Sequence, residues 1–596
     1  MSHSSMHRRD TRPASGPPLS VKLKADHLRI LEKHVQEHEQ AIVVLKIRYN
    51  SALPAVGLPS EILAEVFLYC RAAMDSYRFV THTTWQKTST AFPYHWMGIC
   101  HVCHRWREVT LSTPELWATI HLSCASEQVN EAFLTRSKSA LLSLDALESE
   151  LEPSLAVLRL SLPHLHRARS IDFELTQDAY QLLSFQLSLV VMPLETLILR
   201  LPHSTWFARD PDTQVPSFVS PRLSGLRSLI LRKYSIPWRS HLFPETLTML
   251  EIKAVAAEST VLEVVEAIRG LHSLRQLKLL SVFDPLSSFE ATAAPPLVET
   301  PVTFIHLKEL FVTFIGPIQC AYFLDHISLP PTNRLSLDIH SEAHSDEMLS
   351  GIISAVRPSV VSKFPTEPTA DGHAAALILT RHEFSVLELE PSDPLAKSTG
   401  NQPFFNMSFD RGEFDGDGYQ SIMTGDTGFI AGLPLSNVTK LVVHTPPLQA
   451  SVWESLFRTI PQIEVLEIFD HNALSRDLIR TLIAGSFSSS SLGQTDSSAS
   501  LTTPRLKSVS LDMCEYWDSE HESETPGRSQ TWLYVDALLE AFALRVERGG
   551  AEVEELVIKK CNVLRQQHID RLQEHVRKAS SESASMDYAG SKVLSF

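Results

Sequence analysis

Cysteine is scarce in this sequence: there are seven in 596 residues, at positions 70, 100, 103, 124, 320, 514 and 561. An odd, scattered set is not a disulfide framework and points to a reducing compartment. Long apolar runs are lacking too. The opening stretch MSHSSMHRRDTRPASGPPLS has no apolar segment of the about 7–15 residues that a secretory signal needs. The most apolar later stretch, residues 182–201, is interrupted by Pro193, Glu195 and Arg200, whereas a membrane span takes about 20 nearly uninterrupted apolar residues. A cytoplasmic or nuclear protein with no membrane partner is the expectation. Catalytic signatures are missing as well. No G-x-S-x-G, Walker A, G-x-G-x-x-G or H-E-x-x-H is present, so neither enzymatic activity nor a cofactor is expected. Positive charge is in deficit: 53 Lys and Arg stand against 69 Asp and Glu, a net charge of −16. An acidic chain repels phosphate backbones, which argues against nucleic acid as a partner. Residues 1–57 lean the other way, with nine Lys/Arg and five Asp/Glu.

What is present is ordinary globular material, 43% hydrophobic and 20% charged. The length exceeds the roughly 100–200 residues of one domain, unless the fold is an elongated repeat. Residues 1–20 are polar, punctuated by Pro13, Gly16, Pro17 and Pro18, and read as a disordered tail. Over residues 21–50 the pattern changes. Leu28, Leu31, Val35, His38, Ile42, Leu45 and Tyr49 are spaced 3, 4, 3, 4, 3, 4, a heptad seam on an amphipathic or coiled-coil helix. With about three heptads and a histidine in the seam, the stripe is expected to pack on its own chain and the protein to be monomeric outside a complex.

From residue 118 to about 575 a repeated pattern takes over, L-x-x-L-x-L. It reads Leu194-Leu197-Leu199, Leu226-Leu229-Leu231, Leu247-Leu250-Ile252, Leu274-Leu277-Leu279, Leu307-Leu310-Val312 and Phe384-Leu387-Leu389. It returns at Val438-Leu441-Val443, Ile463-Leu466-Ile468, Leu506-Val509-Leu511 and Val553-Leu556-Ile558, with degenerate copies at Ala168-Ile171-Phe173 and Thr332-Leu335-Leu337. Apolar residues two apart share one face of a short strand. Amphipathic segments such as Val261-Leu262-Val264-Val265-Ile268 separate the strands. Strand and helix alternating at about 20–33 residues is the leucine-rich-repeat signature; an α/β domain with a buried parallel sheet shows the same alternation. The predicted fold class is α/β. It comprises the amino-terminal helix, a small all-α domain over 58–117, and an irregular solenoid over 118–575 with parallel strands on its concave face and helices outside. Loop insertions are expected at 395–436 and 485–504, and a carboxy-terminal tail over 576–596.

Two blocks precede the repeats: LPSEILAEVFLYC from Leu58, and ICHVCHRWREVTLSTPELWATIHL from Ile99. Pro59 and Glu61 suit a helix's first turn, and Ile62, Leu63, Val66 and Phe67 form an amphipathic stripe. Ile99, Val102, Cys103 and Trp106 predict a second helix, ended by Ser112-Thr113-Pro114. Together the blocks resemble an F-box, and most of all the F-box-like domains of a large fungal family. That family opens with LP-x-EIL-x-x-[IV]F, continues with V-C-[RK]-x-W, and leaves through S-x-P-x-LW into a repeat region. The corresponding residues are Leu58 to Leu63, Val66-Phe67, Val102-Cys103-His104-Arg105-Trp106, and Ser112 to Trp117. The spacer over 70–98, with Trp85, Phe92, Tyr94 and Trp96, is longer than in a compact F-box.

The resemblance implies docking to the Skp-type adaptor of cullin-RING ubiquitin ligases, with the repeats holding a protein substrate. It places Leu58, Pro59, Ile62, Leu63 and Phe67 at the adaptor, supported or joined by Val102 and Trp106. A scaffold built on the same solenoid without a ligase is the alternative. Substrate contacts are expected on the outward strand positions Ile198, Ile230, Glu251, Lys278, Phe311, Glu388, Val442, Glu467, Ser510 and Val557. Glu251, Lys278, Phe311, Glu388 and Glu467 are the chief candidates, because a mixed apolar and acidic row suits a protein surface.

Metal chemistry finds little support. Cys100-His101-Val102-Cys103-His104 has the spacing of covalent haem attachment, but such attachment occurs outside a reducing compartment. Zinc needs about four ligands, and beyond His82 or His95 no second pair stands near Cys100 and Cys103. Asp415-Gly416-Asp417-Gly418 begins like a calcium loop, but Tyr419 and Asp426 fall where the fifth and twelfth ligands belong.

Overall fold

The computed structural model describes residues 19–82, 94–123, 126–146, 155–190 and 192–201. From 224 onward it describes the elements named below and a few residues beside them. The chain divides into two compact units, Met1–Ser170 and Ile171–Phe596. Among the described residues no helix is long and apolar enough to cross a membrane.

The first unit opens with α1 (Leu19–Ser51), α2 (Pro54–Gly57) and α3 (Ser60–His82). It continues with α4 (His104–Ser112), β1 (Thr119–His121), α5 (Glu127–Arg136), β2 (Leu142–Ala146) and α6 (Leu155–Ser161). The unbroken heptad seam yields a single 33-residue helix, α1. Contrary to expectation, the described residues of the chain do not cover its stripe: every side chain described from Asp26 to Tyr49 is exposed.

The second F-box-like block is not one helix. A 3-10 turn at His95–His101 stops at Val102, and Cys103 in extended conformation caps α4, its Sγ accepting from the Trp106 backbone N–H at 3.5 Å. The helix ends at Ser112 as the Ser-Thr-Pro punctuation predicts, and Pro114 begins a further 3-10 turn.

The helical domain also extends beyond residue 117, and it is not all-α, since β1 and β2 pair in parallel within this unit. The reason is an aromatic cluster that needs α5. Phe133 lies 5.0 Å from Trp117 and 4.4 Å from Tyr94, and Trp117 lies 5.2 Å from Trp96, in centroid distances. The Arg136 guanidinium sits 4.5 Å above the Trp117 ring. Large aromatic side chains dominate core burial, so α5 is required to close this core. Arg167, buried, ties the unit's end down through the Leu134 and Ala140 carbonyls and the Ser137 hydroxyl.

The second unit is built on a long sheet. Its first strand, β3 (Ala168–Glu174), straddles the division; β4 (Thr196–Arg200), β5 (Ser228–Arg232), β6 (Met249–Lys253), β7 (Gln276–Leu280), β9 (Glu309–Phe314) and β11 (Arg334–His340) follow. A separate parallel pair is formed by β8 (Val302–Thr303) and β10 (Ile327–Ser328). Then come β12 (Ala375–Thr380), β13 (Glu383–Glu388), β14 (Phe405–Asp410), β15 (Val438–His444), β16 (Val465–Phe469), β17 (Ser508–Asp512), β18 (Glu555–Lys559) and β19 (Lys578–Glu582).

The pairings from β4 to β9 and on to β11 are parallel and in sequence order. So are those from β15 to β19. Between these blocks the order inverts: β11 pairs β14, β14 pairs β13, β13 pairs β12, and β12 pairs β15. Among the described residues, only β13 runs antiparallel to both neighbours. Among the described residues these pairings give an open sheet, not a barrel.

The apolar positions of the repeated pattern line one face. Leu197, Leu199, Leu229, Leu231, Leu250, Ile252, Leu277 and Leu279 are all 0–1% exposed. Helices occupy several crossovers, which parallel strands require. These are α7 (Gln177–Leu189), α8 (Val261–Ile268), α9 (Pro317–Asp325), α10 (Ala450–Thr459) and α11 (Gln530–Glu547). A full capping box starts α8: Thr260 Oγ1 accepts from the Glu263 N–H and Glu263 Oε2 accepts from the Thr260 N–H. The helix then buries Val261, Val264, Val265 and Ile268.

Two expected boundaries change. The 395–436 segment is not wholly a loop, since it carries β14 into the middle of the sheet, and the tail expected over 576–596 begins with strand β19. The Asp415-to-Asp426 segment and residues 485–502 lie outside the described residues.

Candidate docking surfaces

The first surface is built on α3. It begins at Ser60, one residue after Pro59, whose carbonyl accepts from the Leu63 N–H. The stripe of four apolar residues splits into two halves. Leu63 and Phe67, at 1% exposure, turn inward, and the Phe67 ring lies 5.1 Å from that of half-buried Trp106 on α4. Ile62 and Val66, at 49% and 44%, turn outward. Tyr69 continues their face at i+7 from Ile62 and is still more exposed.

Leu58 and Pro59 are exposed just before the helix, and Val102 is exposed just before α4. The Arg105 guanidinium of α4 donates to the Leu58 carbonyl at 2.5 Å, tying the two blocks together. Arg71, on the inner side of α3, donates to the Glu115 and Leu116 carbonyls at 2.8 and 3.0 Å, fixing α3 to the S-x-P-x-LW exit. Trp117 Nε1 donates to the Thr110 carbonyl at 2.8 Å from the other side.

Of the seven residues assigned to this surface, Leu58, Pro59, Ile62 and Val102 therefore lie on the outside. Leu63 and Phe67 are core residues that cannot touch a partner, and Trp106 lies between. Val66 and Tyr69 belong to the outer face and were absent from the assignment. Their i+4 and i+7 spacing from Ile62 was the available signal. Cys100 is buried, and burial pushes its thiol up. Among the described residues no group of three His, Cys, Asp or Glu side chains stands close enough together to hold a metal ion.

The second surface is the sheet face opposite the leucine core. Nine of the ten positions assigned to it fall in one register row. Ile198, Ile230, Glu251, Lys278 and Phe311 are mutual neighbours from β4 to β9. The row passes through Ser336, Asn406, Ser385 and Ile378, then Val442, Glu467, Ser510 and Val557. Glu388 is the exception. It pairs with Ala375 at the end of β13, three residues from Ser385, which holds the row position in that strand. A template read in the direction of a parallel strand picks the wrong residue when the strand is reversed.

The charges on this face are already partnered across strands. Glu251, nearly closed to solvent, accepts from Arg232 at 2.7 and 2.9 Å. Lys278 pairs with Glu309 at 3.3 Å and Lys440 with Glu467 at 2.8 Å. Arg200 donates to Asp172. Diagonal opposite-charge pairs stabilise neighbouring strands. Glu251, Lys278 and Glu467 are therefore held in place by the sheet, and the remaining open surface on this row is apolar or neutral: Ile198, Phe311, Ser510 and Val557.

In comparison with known proteins, no family model matches this chain and no curated protein matches it.

Proposed function

We propose that this protein is a substrate receptor of a cullin-RING ubiquitin ligase. Its F-box-like domain docks a Skp-type adaptor, and a leucine-rich-repeat solenoid in the second unit binds a protein substrate. The observation that carries the reading is the outer face of α3. Leu58, Ile62, Val66 and Tyr69 lie exposed over buried Leu63 and Phe67, with half-buried Trp106 against the Phe67 ring, and Val102 adds apolar surface beside the α4 cap. A contiguous apolar face on a rigid, pre-packed helix pair is the form of a partner site. It coincides with the segment that resembles the F-box motif. The regular row of strands with leucines on one side and ion-paired, partly apolar positions on the other supports the solenoid half of the reading.

The test is co-purification from cells expressing the full chain. Changing Pro59→Lys together with Ile62→Glu should abolish recovery of the adaptor and cullin while the sheet unit stays folded. Unchanged recovery sinks the receptor reading. No adaptor on the unmodified chain, with other proteins still bound, would favour the ligase-independent scaffold. Replacing Phe311 and Val557 should change the co-purifying proteins without touching adaptor recovery.

A further inference from the structure

We propose that α1 is a parallel two-stranded coiled coil through which the chain pairs with a second copy of itself. The proposal stands apart from adaptor docking, because it uses residues 28–49 and not the α3 face. The central observation is a helix with an unburied seam. Leu28, Leu31, Val35, Ile42, Leu45 and Tyr49 are each 45–72% exposed, and the described residues of the chain leave all of them open. A 33-residue helix is about 50 Å long. In proteins most helical stability comes from packing an apolar face, and the described residues of its own chain do not cover this one.

The residues around the seam select the occupant. In heptad terms Leu28, Val35, Ile42 and Tyr49 take the a positions, and Leu31, His38 and Leu45 the d positions. β-branched Val35 and Ile42 at a, with Leu31 and Leu45 at d, are the pattern that favours two parallel strands. The flanking positions agree. In a parallel pair His27 and His34 stand opposite Glu32 and Glu39 of the other copy, a donor against an acceptor each time. An antiparallel pair would set Glu32 against Glu39 and His27 against Arg48, both unfavourable. The outer face is spoken for within the helix: Arg29 pairs with Asp26 and Lys33 with Glu37. His38, the one polar residue of the seam, meets its own counterpart only when the two copies are in register. A buried polar pair of this kind fixes register at some cost in stability.

Sedimentation equilibrium of the full chain tests the proposal. At low-micromolar concentration the expected mass is twice 66.7 kDa. Val35→Glu with Ile42→Glu puts like charges in the seam and should weaken pairing by about 100-fold or more. Gln40→Glu, on the outer face, should leave it unchanged. Glu32→Lys with Glu39→Lys should weaken a parallel pair several-fold, whereas an antiparallel pair would only exchange one repulsion for another. A monomer or trimer for the unmodified chain, or a dimer that survives the Val35/Ile42 change, overturns the proposal. A dimer indifferent to the Glu32/Glu39 change overturns its parallel orientation.

Discussion

Truncating Phe67 and charging Ile62 should differ sharply in their effect on stability, although the two residues lie five apart on one helix. Phe67 is 1% exposed and its ring rests on Trp106 at 5.1 Å. Removing a buried phenyl ring costs about 3–5 kcal/mol, the transfer term plus the cavity left behind. At about 1.4 kcal/mol per tenfold, Phe67→Ala should lower hydrogen-exchange protection of amides over residues 60–117 by about 100- to 4,000-fold in the full chain. Ile62 is half exposed, so Ile62→Glu should shift the same protection by less than about threefold. Adaptor recovery, in contrast, should fall in both variants, through lost packing in the first and through the altered face in the second. The assay is exchange mass spectrometry on peptides from 60–117, with peptides from β15–β18 as an internal reference. Unchanged protection in Phe67→Ala, or a tenfold loss in Ile62→Glu, would refute the division of α3 into an inner and an outer half.

Arg71→Met removes two donors and leaves the buried Leu116 carbonyl unpaired, a penalty of about 1–3 kcal/mol; exchange at residues 113–118 should accelerate selectively. Thr260→Ala deletes the capping box of α8 and should cost about 1 kcal/mol, read as faster exchange at Glu263 and its neighbours. Glu251→Gln leaves Arg232 without its carboxylate, but that arginine is 42% exposed, so the loss should stay below about 1 kcal/mol in thermal unfolding of the full chain. Cys320 is wholly buried, with its thiol pushed up by burial. It should resist alkylation in native buffer and react after denaturation, whereas half-buried Cys70 and Cys103 should react before it, as peptide mass mapping would show.

Much of the second unit was legible because a buried leucine two residues from another is a strong local signal. The patterns at 194, 226, 247, 274 and 307 all fall on strands, and even degenerate Ala168-Ile171-Phe173 is fully buried in β3. Strand direction was not legible, because alternation with period two reads the same both ways; that is why Glu388 was misplaced. Strand β14 was concealed differently. Phe405, Met407 and Phe409 alternate plainly, but they sit in a glycine-rich stretch whose composition suggests a loop. On α3, the motif marked the apolar stripe but not which half faces in. That choice depends on Trp106, about forty residues away, and no local pattern encodes it. The end of the helical unit was missed for the same reason, since Phe133 completes a cluster whose other members precede residue 118.

The inverted order of β12, β13 and β14 bears on how the sheet can assemble. In an array where each strand pairs with the next in sequence, order spreads by short steps, each closing a small loop. Here β11 must wait for β14, and β12 meets β15 only across two intervening strands. The chain between Arg334 and Phe405 must therefore be closed before the array can continue, which slows any propagation that crosses this point. The strands up to β11 and those from β15 onward can each grow from within, with the three inverted strands as the joint between them. A chain cut after His340 keeps every parallel pairing from β4 to β11, but presents β11 as a bare edge with free N–H and C=O groups. Such an edge is a template for pairing with other chains, so the reversed insert also serves as the cover that keeps the first block of strands from adding a stranger.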